Sequence, residues 1–258
     1  YGESQDHDGV KENTFALGFD FFAPFNGNQQ IGLAGDMKYY NYSLPAEEPY
    51  KTGTNEPPYT FSTYENHFNA LLNPYYKITG DNWNFKLGAK AMMVSGLEYW
   101  DNAKFYASPD IAADVTVADK TMLYAKIGGE LRDNSMYDIT QLNRYADPVH
   151  ATTPSFNWLD AKLGIQSGVA SGFWFDIFGG YQATSNDYFF IAYNYYNANE
   201  QNKFNYIEMR DDIASKRLYV GADLRYSYQQ IIDLRLKGVY NNWKMNLGDG
   251  YVGGEVNA

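Results

Sequence analysis

The chain contains no cysteine, which removes disulfide frameworks and thiolate metal sites together. It has no apolar run near the ~18 residues that a transmembrane helix requires. It is also short of positive charge, with 20 Lys and Arg against 31 Asp and Glu and a formal net charge of −11. No basic stripe is available to neutralise phosphates, so nucleic acid is excluded as a partner. Histidine is scarce. His7, His67 and His150 sit neither in H-E-x-x-H nor beside a second ligand at metal spacing, so no metal and no cofactor are expected. No signal peptide is visible and the chain starts at Tyr1, so it reads as a processed chain or a fragment.

Aromatic residues are abundant, at 18% of the chain, with 25 Tyr, 16 Phe and 5 Trp. Tyrosine suits strands, water–lipid boundaries and sugar-binding surfaces alike. Mean hydropathy is −0.52. That value does not argue against a membrane barrel, which shows lipid only alternate strand residues and keeps a polar lumen.

Period-2 alternation recurs along the chain. In NWNFKLGAKAMMV (82–94), Trp83, Phe85, Leu87, Ala89, Ala91 and Met93 share one parity, against Asn84, Lys86, Gly88 and Lys90. Strands are predicted at 13–22, 30–40, 64–79, 83–94, 104–117, 121–132, 156–166, 172–183, 188–196, 203–210, 216–227 and 231–243, with a short helical turn in SMYDITQLNRY (135–145). Short links GDN (80–82), ADK (118–120), SGVAS (167–171) and YQQ (228–230) alternate with long ones at about 41–63, 95–103 and 133–155 through the first eight strands. An up-and-down meander puts tight turns at one end and long loops at the other, as membrane barrels do; a Greek-key sandwich need not.

The polar parity carries Lys86 and Lys90; Asp110 and Asp114; Lys126, Glu130 and Arg132; Asp160 and Lys162; Asp223 and Arg225; and Asp233 and Arg235. Acids and bases nearly balance there, so the surplus acid lies in connections and ends. Such a ladder suits a cross-braced wet lumen, and equally a solvated sheet surface. Gly18, Gly32, Gly88, Gly128, Gly164, Gly180 and Gly221 fall on the same parity, where glycine is expected if something passes close or the sheet bends. Gly35 and Gly238 fall on the apolar one.

Three stretches carry a family resemblance: NPYYKITGDNWNFKLGAKAMM (73–93), FYASPDIAADVTVADKTMLYAKIGGELRDNSMYDI (105–139) and FNWLDAKLGIQSGVASGFWFDIFGGYQATSNDYFF (156–190). With the SPDI strand entry, the D-K turn into L-Y-A and G-x-L-x-x-N-S-M before a long loop, the chain resembles outer-membrane β-barrels of Bacteroidetes of the TonB-dependent-receptor-like kind. The match is best over about 64–195 and extends more weakly to 243. The resemblance implies a bacterial outer-membrane location. The chain ends GYVGGEVNA rather than on the aromatic-closed strand typical of bacterial barrels, and it carries no plug domain. It therefore reads as part of a larger barrel, whose partners would be membrane lipid, an unknown solute and a plug domain or partner protein.

Other chemistry is thinly supported. GVASG (168–172) lacks the spacing of a nucleophile elbow. Gly248, Gly250 and Gly253 fit G-x-G-x-x-G with no helix to follow. DHDG (6–9) aligns Phe15 where a calcium loop needs Glu. Asp110 and Asp114 share a strand face but stand ~13 Å apart, beyond a glycosidase pair, and no enzyme is expected. Tyr99 and Trp100, Tyr59 and Tyr64, and YFFIAYNYY (188–196) read either as a membrane-interface girdle or as ligand contacts, Tyr99 and Trp100 foremost.

The expected fold is all-β, an antiparallel up-and-down transmembrane β-barrel of roughly ten to twelve strands, residues 1–258 forming one domain or barrel fragment. The expected function is non-enzymatic solute passage or uptake, receptor- or porin-like. The alternative is a soluble β-sheet surface protein that binds glycan or protein through Tyr- and Trp-rich loops.

Overall fold

The computed structural model describes residues 2–7, 10–43, 64–97, 100–144, 153–194, 203–209, 214–229, 231–246 and 255–257. Its strands are β1 (Gly2–His7), β2 (Val10–Phe25), β3 (Gln29–Ser43), β4 (His67–Thr79), β5 (Trp83–Ser95), β6 (Lys104–Ala118), β7 (Thr121–Arg132), β8 (Ser155–Ala170), β9 (Phe173–Ser185), β10 (Tyr188–Asn194), β11 (Lys203–Met209), β12 (Ala214–Tyr228), β13 (Ile232–Asn246) and β14 (Glu255–Asn257). One helix, α1 (Met136–Leu142), follows β7. The main sheet is wholly antiparallel and up-and-down, in the order β1 to β9, then β12, β13 and β14. β2–β9, β12 and β13 form its body, with 12 to 16 residues each. They are longer than the ~9–11 residues with which a tilted strand crosses a bilayer.

Local chemistry sets the short links. At 26–28, Asn26 and Gly27 take positive φ (50° and 74°), as a tight hairpin requires. The links 80–82, 119–120, 171–172 and 229–231 lie at that same end. The strand ends that lead into the long connections lie at the other, and the alternation that weakens in the sequence beyond 184 continues through β12 and β13. The strands predicted at 188–196 and 203–210 are the reason: β10 and β11 pair only with each other, as a hairpin within one long connection between β9 and β12.

The two faces are inverted relative to a soluble protein. Leu163, Leu234 and Leu236 are 68%, 61% and 69% exposed. Leu17, Ile31, Leu87, Phe105, Leu123, Ile177, Leu218 and Tyr240 are exposed on the same face. The opposite parity holds the buried polar residues Asn69, Asn73, Ser108, Asp176, Gln182, Thr184 and Asp223. The polar face is also the concave one. Asp133, immediately after β7, bonds Lys38 on β3 at 2.7 Å and Asn69 on β4 at 2.7 Å. In a flat sheet β3 and β7 would lie ~19 Å apart, four spacings of ~4.8 Å, so the sheet must curl with its polar side inward. It does not close: among the described residues its two edge strands do not pair with each other.

Candidate functional site: the concave polar face

Three braces of one design cross this face. Tyr75 on β4 lies directly opposite Gly32 on β3, its ring runs over that glycine, and its hydroxyl donates to Asp20 on β2 at 3.0 Å. Tyr124 on β7 crosses Gly164 on β8 and donates to Asp176 on β9 at 2.9 Å. Tyr219 on β12 crosses Gly180 on β9 and donates to Asp160 on β8 at 3.0 Å. In each case a side chain on the middle strand would block the ring, because a Cβ on the glycine would fall within about 2.5 Å of ring atoms. Three of the glycines anticipated on this parity, Gly32, Gly164 and Gly180, are therefore explained by what passes over them, whereas the nearest atoms to a Cβ built on Gly18 or Gly128 stand 3.6 and 3.7 Å away. A cation covers each ring: Lys86 at 4.7 Å from Tyr75, Lys162 at 5.3 Å from Tyr124 and Arg217 at 4.6 Å from Tyr219. Such contacts contribute roughly 0.5–1 kcal/mol at exposed sites and more where water is excluded.

The charged residues expected on this parity fall into this frame. Lys86 pairs with Asp110 at 2.6 Å, and Asp110 also accepts from Asn73 at 2.7 Å. Asp114 accepts from Asn84 at 2.9 Å. Lys90 donates to the Gly129 carbonyl at 2.8 Å, and Lys162 lies over the Phe178 ring at 4.0 Å. Arg225 binds Asp233 through two nitrogens, the closer at 2.9 Å, and the guanidinium of Arg235 grips Asp223. Lys126 is exposed, with no acid within salt-bridge distance among the described residues.

Glu130 and Arg132 lie at an irregularity near the end of β7. The β7–β8 register shifts between Gly128 and Glu130, where two residues of β7 face three of β8, and Glu130 and Arg132 stand opposite Asn157 and Ser155. Past the bulge Leu131, expected on the apolar face, packs with Tyr106 against buried Val94, Leu97 and Trp100. Glu130 is exposed and pairs with Arg132 at 3.2 Å. Trp100 is buried in that cluster, with Lys104 over its ring at 5.9 Å, so its ring is engaged by the protein itself. Tyr99 and Tyr59 lie outside the described residues, as do the side chains of 189–196.

Part of the long-loop end is covered from within, by a feature of which the sequence shows only the helical turn. Ser135 caps α1 by accepting from the Asp138 amide at 3.1 Å, and Met136 at the start of the helix is fully buried with Val10, Tyr40, Tyr42 and Tyr64. Glu12 on β2 accepts from the Tyr137 amide at 3.1 Å. The anchor is Asp133, whose carboxylate also accepts from Tyr40 at 2.5 Å besides Lys38 and Asn69. Ile139 packs against Tyr188 of the β10 hairpin. The segment thus lies across the mouth of β2, β3 and β4.

On the convex face, aliphatic side chains occupy most of the middle, with Tyr240 among them. Most exposed aromatics lie toward the two ends: Phe21, Phe25, Trp83, Tyr226 and Tyr228 at the tight turns, and Tyr39, Phe105 and Trp158 at the long loops. Membrane barrels carry such paired girdles about an apolar band ~25 Å tall.

Neither a protein-family profile nor a curated protein sequence matches the chain. Solved structures do. BauA, the ferric preacinetobactin receptor from Acinetobacter baumannii, superposes with a TM-score of 0.52 at 14% identity, over 91% of this chain and 36% of that one. The copper transporter OprC gives 0.54 at 9% identity, over 92% and 40%. The siderophore receptor PirA from Pseudomonas aeruginosa gives 0.50 at 11% identity, over 95% and 50%. The chain therefore spans half or less of the length of these structures, and at such identities the likeness is one of fold: an antiparallel sheet built like the wall of the TonB-dependent outer-membrane receptor barrels.

Proposed function

We propose that the chain forms barrel wall in a bacterial outer membrane and serves the uptake or passage of a solute, without covalent chemistry. One observation carries this reading: the burial of the two parities is inverted, with leucines outward and a braced, charged, concave face inward. An aqueous protein would leave that leucine face as an apolar patch far larger than soluble monomers expose. Hydrocarbon is the solvent that matches it. Residues Lys86, Lys90, Asp110, Asp114, Lys126, Asp160, Lys162, Asp223, Arg225, Asp233 and Arg235 then face the water-filled interior. The receptor likeness supports uptake, and the sequence motifs support a Bacteroidetes-type, TonB-dependent-receptor-like relative. A plug or partner protein is the natural occupant of a wall whose edges are open.

The test is solvent choice. The chain should be monodisperse only in detergent or lipid, and Leu163→Arg should lower its stability there by ~2–4 kcal/mol at mid-membrane depth. Lys162→Ala should fold nearly normally. A chain monodisperse in plain buffer, or equal tolerance at the two positions, would return the reading to a soluble surface protein.

A further inference from the structure

The strand register aligns lysines into a row that the sequence does not reveal. Lys77 on β4 stands directly opposite Lys86 on β5. Lys86 stands opposite Ala112 on β6, Ala112 opposite Lys126 on β7, and Lys126 opposite Lys162 on β8. Lys77 shares its strand parity with Asn73 and Tyr75, whose partners Asp110 and Asp20 place them on the concave face. Two like-charged pairs thus sit face to face in one row, an arrangement that destabilises a sheet.

The wall quiets one member of each pair. Lys86 is held by Asp110 and the Tyr75 ring, and Lys162 lies on the Phe178 and Tyr124 rings. Lys77 and Lys126 are exposed, with no acid within salt-bridge distance among the described residues. The acids flanking the row are drawn back by neutral donors or by Lys86: Asp110 by Asn73 and Lys86, Asp114 by Asn84, Asp160 by Tyr219 and Asp176 by Tyr124. Between the two free ammonium groups lie Lys86, already held by Asp110, and Ala112, whose small side chain leaves room above it.

We propose that the row Lys77–Lys86–Ala112–Lys126–Lys162 binds a multivalent oxyanion, contacted by Lys77 and Lys126. Rings of lysine and arginine select anions and phosphates in pores by this same physics, and two ammonium groups three strands apart favour a ligand with more than one charged group. The proposal rests on the concave face being water-filled, and the two can fail separately.

The experiment is calorimetric titration of the folded chain in detergent micelles at low ionic strength with inorganic tripolyphosphate. Lys77→Gln/Lys126→Gln should weaken binding at least ten-fold, while Lys237→Gln, a lysine on β13 outside the row, should change it less than three-fold. Unchanged heat modifiability on gels shows that each variant is folded. Absent binding, or equal weakening by Lys237→Gln, overturns the site even where the detergent requirement holds. Row-dependent binding by a chain that is monodisperse without detergent upholds the site and removes only the membrane reading.

Discussion

Gly180 and Gly128 lie on the same concave face and differ in what passes over them. A Cβ on Gly180 would meet the Tyr219 ring at 2.3 Å and the Ala161 backbone carbonyl at 2.6 Å, whereas on Gly128 the nearest atom is 3.7 Å away. Gly180→Ala should therefore cost ~1–3 kcal/mol, since the backbone must move and the Tyr219–Asp160 bond is lost. Gly128→Ala should stay within about 0.5 kcal/mol. Denaturant-midpoint shifts in micelles measure both; equal midpoints would dissolve the brace. The sequence shows that these glycines share the charged parity, because parity is local. It does not show which tyrosine crosses which glycine, because that depends on how two strands are registered. Lys77 carries no signal in the sequence for the same reason: its meaning comes from Lys86 opposite and Lys126 three strands away.

At the scale of elements, the connections divide the molecule. Tight turns write themselves into the sequence through short polar links, and α1 through Ser135 and Asp138 at N-cap spacing. The register shifts at Gly128–Glu130 and Asn157–Leu159 leave no such mark, since both come from one extra residue of β8 that only the partner strands expose. Leu131, beside that irregularity, packs with Tyr106 against Val94, Leu97 and Trp100, a contact that alternation alone does not predict. The inward fold of the segment after β7 is equally hidden, because it is decided by Lys38, Tyr40 and Asn69 from distant strands. Asp133→Asn removes the charge they share. Hydrogen bonds to a charged group contribute about 1.5–3 kcal/mol each, so amide exchange across 133–142 should quicken at least ten-fold while the strand signal in circular dichroism stays unchanged. Unaltered exchange would mean that the apolar packing of Met136 holds the segment by itself.

The whole molecule is an open, curled wall with its solvent preferences reversed, and the membrane reading rests on that reversal. The absence of cysteine permits a direct probe. Single cysteines at successive positions 159–166 of β8, labelled with an environment-sensitive fluorophore and placed in vesicles of brominated lipid, report contact with hydrocarbon position by position. Quenching should alternate, strong at Leu159, Ala161, Leu163 and Ile165 and weak at Asp160, Lys162, Gly164 and Gln166. Quenching without that alternation, or strongest at Lys162, would contradict the assignment of the two faces and everything built on it.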